Sequence, residues 1–244
     1  MNAPIPVLPE HFADESERRR LVDRLFDAGA VHYEAVIAAM SFGSGNWYRR
    51  DALKRAGLSA GMRLLDLATG TGTVARAAAP LVGPSGWIVG LDPSAGMLGE
   101  ARRTVPVTLV RSYAEGLPLA DRSFDFLSMG YALRHVADLD VTFREAHRVL
   151  RPGGTFLVLE LVPPASRAAR AAMRLYMSRI VPWLTGRLTR SPEARDLFRY
   201  YWDTIEHCVP AATILGALRG AGFERAERTT VFGFNAEYRG VRPA

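Results

Sequence analysis

Three observations predict an α/β fold with a mostly parallel sheet covered on both faces. The strands are short and apolar throughout, helical periodicity fills the gaps between them, and a glycine turn joins the first strand to its helix. The chain has 244 residues, 48% hydrophobic and 23% charged. That is enough for one substantial core and excludes disordered, collagen-like and low-complexity classes. Cys208 is the only cysteine, which excludes an internal disulfide framework and a cluster of thiolate ligands. No His, Cys and acid spacing suits a metal, so none is expected. Residues 1–20 lack the apolar stretch of a signal peptide, and no window offers about 18 uninterrupted apolar residues for a spanning helix. A cytoplasmic protein is expected.

The first sixty residues read as helices. Leu21, Leu25 and Phe26 recur at helical spacing, as do Val36, Ile37 and Met40, and Trp47 to Ala56 forms a further helix ended by Gly57. His11 falls in the tail before them. From residue 62 strands alternate with helices. Residues 62–68 make a strand, Val74 to Leu81 a helix, 86–92 a strand, and Ala95 to Arg102 a helix. Further strands are expected at 107–110 and 124–130, and an amphipathic helix from Asp138 to Leu150. A turn at 151–154 then leads into a strand over 155–162. Pro163 and Pro164 end this region. Residues 165–221 read as helical with breaks at Pro182, Gly186 and Pro192, and the last stretch as two strands around Gly233, an antiparallel pair at the sheet edge.

The chemistry starts at Leu-Asp-Leu-Ala-Thr-Gly-Thr-Gly-Thr, residues 65–73. Glycines there let the backbone approach a ligand where a side chain would clash. Asp92, twenty residues past Gly72 at the end of the second strand, can accept hydrogen bonds from both hydroxyls of a ribose. Turn, strand context and acid together point to a nucleoside-type cofactor. Gly70, Gly72 and Ala75 also satisfy a dinucleotide pattern, so the residues alone leave the cofactor open.

The first motif resembles that of class I S-adenosylmethionine-dependent methyltransferases, and so do residues 90–98, 114–125 and 148–154 in order. The chain further resembles the ubiquinone/menaquinone biosynthesis C-methyltransferase family over nearly its whole length. Tyr33-Glu34, Met40-Ser41, Gly43 and Trp47 match its N-terminal pattern, residues 131–136 its Phe-Gly-Leu-Arg-Asn-Val, and 159–164 its Leu-Glu-Phe-Ser-x-Pro. The resemblance implies a Rossmann-like class I fold: a seven-stranded, mostly parallel sheet with a terminal antiparallel hairpin and a helical lid. It implies one methyltransferase domain over 1–244, made of an N-terminal lid (1–60), a cofactor-binding core (61–162), an acceptor lid (163–221) and the hairpin (222–244).

By position, the resemblance assigns S-adenosylmethionine contacts to Asp66, Ala68, Gly70, Thr71 and Gly72, to Asp92, Pro93 and Met97, and to Tyr113, Ala114 and Gly130. Arg134 falls on the family's candidate catalytic arginine. Tyr113 stands where the family has Asp or Asn, Gly130 where it has a hydroxyl residue, and His135 where it has Asn.

Methyl transfer to the carbon of a hydroxylated ring needs the acceptor held in line and its ring oxygen deprotonated. Arg134 and His135 sit together past the fourth strand, at the sheet edge where such ligands bind. Arg134 is expected to stabilise the ring oxyanion and His135 to accept a proton. The alternative pairs Arg134 with Asp138 or Asp140 and uses His135 as a cap. His32, Tyr33, Trp47 and Tyr131 are candidates for the acceptor wall. The expected partner is a small aromatic or quinol acceptor. O- or N-methylation of a small metabolite and non-catalytic cofactor binding stand as alternatives.

The formal net charge is +6, and arginine supplies every basic residue but Lys54. Residues 165–200 contain eight arginines against Glu193 and Asp196, so this one stretch holds the entire excess. Such localisation argues against a nucleic-acid surface. Arg167, Arg170 and Arg174 share one helix face, opposite Ala169, Met173, Tyr176, Met177 and Ile180. A peripheral contact of 165–188 with an anionic membrane is one expectation, and an ordinary lid helix is the other. A homodimer is a further expectation.

Overall fold

A computed structural model describes residues 2–41 and 43–244. The chain enters through α1 (Glu15–Met40) and α2 (Gly45–Arg55). It then alternates through β1 (Arg63–Leu67), α3 (Thr73–Val82), β2 (Trp87–Asp92), α4 (Ala95–Thr104), β3 (Thr108–Arg111) and β4 (Phe124–Gly130). A short 3₁₀ turn, Leu133–His135, precedes α5 (Leu139–Val149) and β5 (Leu150–Leu161). Then come α6 (Arg167–Leu175), a π-turn (Tyr176–Ile180), α7 (Val181–Thr189), α8 (Pro192–Glu206), α9 (Ala211–Gly220), β6 (Glu224–Val231) and β7 (Asn235–Val241).

The described residues form a seven-stranded sheet in the order β3-β2-β1-β4-β5-β7-β6. The first five strands are parallel, and β7 runs antiparallel to both β5 and β6. The expected terminal pair is therefore present, with β7 docked on β5. Strand order reverses at β1 and β4, so the crevice at their carboxyl ends is the ligand position of a doubly wound sheet. One sheet face packs Leu65, Leu67, Met129 and Phe156 against α5 and α9 through Phe143 and Leu218. The other packs Leu64, Phe126 and Leu157 against α2 and α3 through Leu53, Ala75 and Ala78.

Three expectations change. The turn at 151–154 is absorbed into β5, because the C-terminal chain captures its backbone: Gly153 N–H donates to the Arg242 carbonyl at 3.0 Å and Arg242 N–H to that of Gly154 at 2.9 Å. Helical structure runs on past Pro182 and Gly186. Pro182 occupies the first turn of α7, where a missing N–H is unneeded. The break comes at Arg190, which is left-handed at φ 53°, before Ser191 caps α8. The tail is packed as well. Ile5, Leu8 and Phe12 are buried against Tyr200, and His11 Nε2 lies 2.8 Å from Asp203 Oδ2.

Above the crevice a third cluster joins α1, the π-turn, α7 and α8 through Val36, Met177, Val181, Phe198, Tyr201 and Trp202. This is the lid. It splits the apolar face expected on α6 and the turn. Met173, Tyr176 and Met177 pack inward, whereas Ala169 and Ile180 stay exposed.

Candidate active site

β1 ends in a chain of polar contacts that shapes the glycine turn. Asp66 is fully buried and accepts from Thr69 Oγ1 at 2.6 Å and Ser128 Oγ at 2.7 Å, which ties the turn to β4. Ala68, Gly70 and Gly72 take positive φ angles of 51°, 56° and 83°. Gly72 caps α3, and a Cβ on it would meet Val105 Cγ1 at 2.6 Å. A Cβ on Gly70 would meet nothing within 4 Å, so the backbone there borders open space.

Asp92 closes the same space from the end of β2. Its Oδ2 accepts from Gly70 N–H at 2.8 Å and its Oδ1 from Ser94 N–H at 2.9 Å. Burial pushes the carboxyls of Asp92 and Asp66 up to about 6, against the backbone and hydroxyl donors that each accepts from.

One cavity runs from this turn to the lid. Of the positions expected at the donor, Ala68, Gly70, Thr71, Asp92, Pro93, Met97 and Gly130 line it. Asp66 and Gly72 stand behind them as supports. Tyr113 and Ala114 lie outside the lining. Ala114 is buried in the core, and the Tyr113 hydroxyl donates to Asp23 Oδ2 at 2.8 Å while Arg19 covers its ring. A Cβ on Gly130 would lie 2.6 Å from Val74 Cγ2, so Val74 fills the room a side chain would need.

The residues suit S-adenosylmethionine. The turn is open where a ligand must come close, Asp92 stands at the end of β2, and Thr71 Oγ1 is buried without a hydrogen-bond partner among the described residues.

At the far end of the cavity Tyr33, Tyr131 and His135 line the wall. Tyr131 sits at φ 61°, a strained angle for a bulky residue. Both ring nitrogens of His135 are buried without partners, and its ring packs edge-on to Phe26. Burial, reinforced by the charges of Arg134 and Arg18, holds its pKa well below the usual imidazole value. His135 is therefore neutral and a weak base. His32 and Trp47 lie outside the lining, and Trp47 is largely exposed.

Arg134 differs most from expectation. It is fully buried but outside the lining, sealed behind the wall. Its partner is Glu160 of β5 rather than Asp138 or Asp140, its Nε donates to Thr204 Oγ1 at 3.2 Å, and its guanidinium covers the Tyr201 ring at 4.4 Å. Burial works against its charge, and Glu160 more than offsets that, so Arg134 stays protonated. Arg134 therefore does not reach the cavity, where the expected oxyanion contact would be made. Asp138 instead caps α5.

Sequence reasoning missed several residues. Asp27 of α1 accepts from Ser94 Oγ at 2.5 Å and Gly96 N–H at 2.9 Å, which holds α1 across the donor end. Phe26, Tyr201 and Arg49 complete the lining at this end of the cavity. Arg49 was detectable in principle, because it shares the buried face of α2 with Ala52 and Leu53, at helical spacing.

Comparison with known proteins follows the same lines. The model of the ubiE/COQ5 methyltransferase family matches residues 13–242. A ubiquinone/menaquinone biosynthesis C-methyltransferase of Rubrivivax gelatinosus is 35% identical over 100% of this chain and 97% of its own. Its counterpart in Hahella chejuensis is 33% identical over 85% of each. Among solved structures, an S-adenosylmethionine-dependent methyltransferase of Thermotoga maritima superposes with a TM-score of 0.64 at 21% identity, covering 90% of this chain and 99% of its own. The [4+2]-cyclase SpnF superposes at 0.66 with 18% identity over 100% of both. These structural likenesses speak for the fold alone.

Proposed function

The chain belongs to the ubiE/COQ5 methyltransferase family and is an S-adenosylmethionine-dependent methyltransferase; on that premise we propose that it methylates a ring carbon of a hydroxylated aromatic acceptor, such as a demethylated menaquinol or ubiquinol precursor. The observation that carries this reading is the aromatic wall of Phe26, Tyr33, Tyr131 and Tyr201 facing the glycine turn across one cavity. Flat apolar rings suit a flat ring, and no exposed backbone-tracking groove is needed.

Thr71, Asp92 and the turn would hold the donor, with Met97 and Pro93 as its apolar floor. When bound, it would supply a methyl group on a sulfonium: the ring carbon gains the new bond, the bonding pair stays with sulfur, and the displaced ring proton passes to solvent water as the ring regains aromaticity. The tyrosines and Phe26 orient the acceptor and exclude water. Tyr33 and Tyr131 stay protonated, since burial raises both pKa values. Neutral His135 can accept a hydrogen bond from an acceptor hydroxyl and is too weak a base to hold its proton near neutral pH.

A lipid surface fits the same acceptor. Leu175, Ile180 and Trp183 are exposed on the lid, beside Arg167, Arg170, Arg174, Arg179 and Arg187. Among the described residues no helix is long and apolar enough to cross a membrane, so the contact would be peripheral. Co-sedimentation with anionic vesicles at low salt should be lost in a Trp183→Ser, Ile180→Ser variant, and wild-type protein that stays in the supernatant refutes this contact.

The decisive assay transfers labelled methyl from the donor to demethylated quinol extracts and, in parallel, to small phenols and amines. Label on a ring carbon of the quinol is expected. Label found only on oxygen or nitrogen of a small metabolite would overturn the reading.

A further inference from the structure

Three arginines are buried among the described residues, and two are neutralised. Arg18 is held by Glu15 and by the carbonyls of Arg134 and Val136. Arg134 is held by Glu160. Arg49 is 8% exposed, its Nε is buried without a partner, and no carboxylate among the described residues pairs with it. Its guanidinium lies 5.2 Å from the Tyr131 ring centroid and borders the acceptor end of the cavity.

A guanidinium cannot shed its proton to escape burial. A buried charge without a partner is costly, and the fold tolerates it here at a cavity wall rather than in the core. The groups facing it do not supply the missing anion. Burial keeps the hydroxyls of Tyr33 on α1 and Tyr131 after β4 protonated, and His135 is neutral. Asp66 feels the Arg49 charge from beneath the turn, but its oxygens accept from Thr69 and Ser128 and it does not line the cavity. The cavity's carboxylates belong to its donor end: Asp92 accepts from Gly70 and Ser94, and Asp23 from Tyr113.

We propose that Arg49 is the anion-binding residue of the acceptor pocket, and that the enzyme takes its hydroxylated ring as the oxyanion. The inference rests on the ring-methylation reading and adds the ionisation state of the acceptor and the residue that selects it. The hydroxyl proton goes to bulk water before the lid closes, so no base in the pocket has to hold it. Charge-assisted hydrogen bonds from the guanidinium to the ring oxygen then keep the ring electron-rich in a site sheltered from water. The weak basicity of His135 and the sealed position of Arg134 cease to be obstacles, because neither has to ionise the acceptor.

The test uses 4-nitrophenol, whose anion absorbs visible light and whose neutral form does not. It is titrated with pH on the full chain saturated with S-adenosylhomocysteine. The bound probe should ionise about one pH unit below the free probe, a roughly tenfold preference for the anion. Arg49→Met should abolish that shift, Arg49→Lys should retain part of it, and both should keep their affinity for S-adenosylhomocysteine as evidence of folding. If Arg49→Met fails that check, Arg49→Gln carries the comparison. The same titration in wild type and variant, or no binding of the anion to wild type, overturns the proposal. The readout needs no turnover, so it stands apart from the labelled-methyl assay that tests the reaction itself.

Discussion

Asp92 carries the first prediction at the scale of single residues. Burial holds its carboxyl at about 6, above the ordinary carboxylate value, so the proton stays on at pH values where an exposed aspartate has lost it. Ribose hydroxyls donate to the ionised form. At pH 5 only about one carboxyl in ten is ionised, so S-adenosylhomocysteine should bind about tenfold more weakly than at pH 7.5, measured by calorimetry. Asp92→Asn should bind weakly with a flat pH profile. Gly72 gives a second prediction. Its φ of 83° and the Val105 methyl that a Cβ would meet at 2.6 Å make Gly72→Ala destabilising. A loss of about 1–3 kcal/mol is expected in chemical denaturation. Asp92 and the glycines were legible because spacing along the chain fixes their place at strand ends. Arg49 was legible only as one member of the buried face of α2; what singles it out is the lack of an acid beside it, a property of packing.

Between elements, the Arg134–Glu160 pair matters most, because it ties the turn after β4 to β5 beneath Tyr201. Arg134→Met leaves the Glu160 carboxylate buried and uncompensated and should cost about 3–5 kcal/mol in denaturant unfolding. Adding Glu160→Leu should recover most of that loss. A catalytic arginine would show the reverse: stability kept in the single variant and turnover lost. Local spacing located Arg134 at the sheet edge correctly. It could not say which way the side chain turns, since Glu160 lies 26 residues on and meets it only when β4 and β5 pair. The helical run through Pro182 has a similar explanation. Proline reads as a breaker in sequence, yet in the first turn of α7 it forfeits nothing.

For the molecule as a whole, the alternation of elements and the terminal pair were readable, because a parallel sheet demands apolar strands and crossover helices. The packing of α1 was not readable, because its polar contacts reach α4 and the loop after β3. Asp27 fastens α1 to Ser94 and Gly96, and Asp23 fastens it to Tyr113. Asp27→Ala should raise amide exchange along α1 by tenfold or more while the β1–β5 strands stay protected, read by mass spectrometry. The same helix contributes Asp23 to the donor end and Phe26, Tyr33 and Ile37 to the acceptor end. One helix thus covers both ends of a single cavity. Movement that admits an acceptor also uncovers the donor, so initial-rate kinetics should show no compulsory order of binding or release.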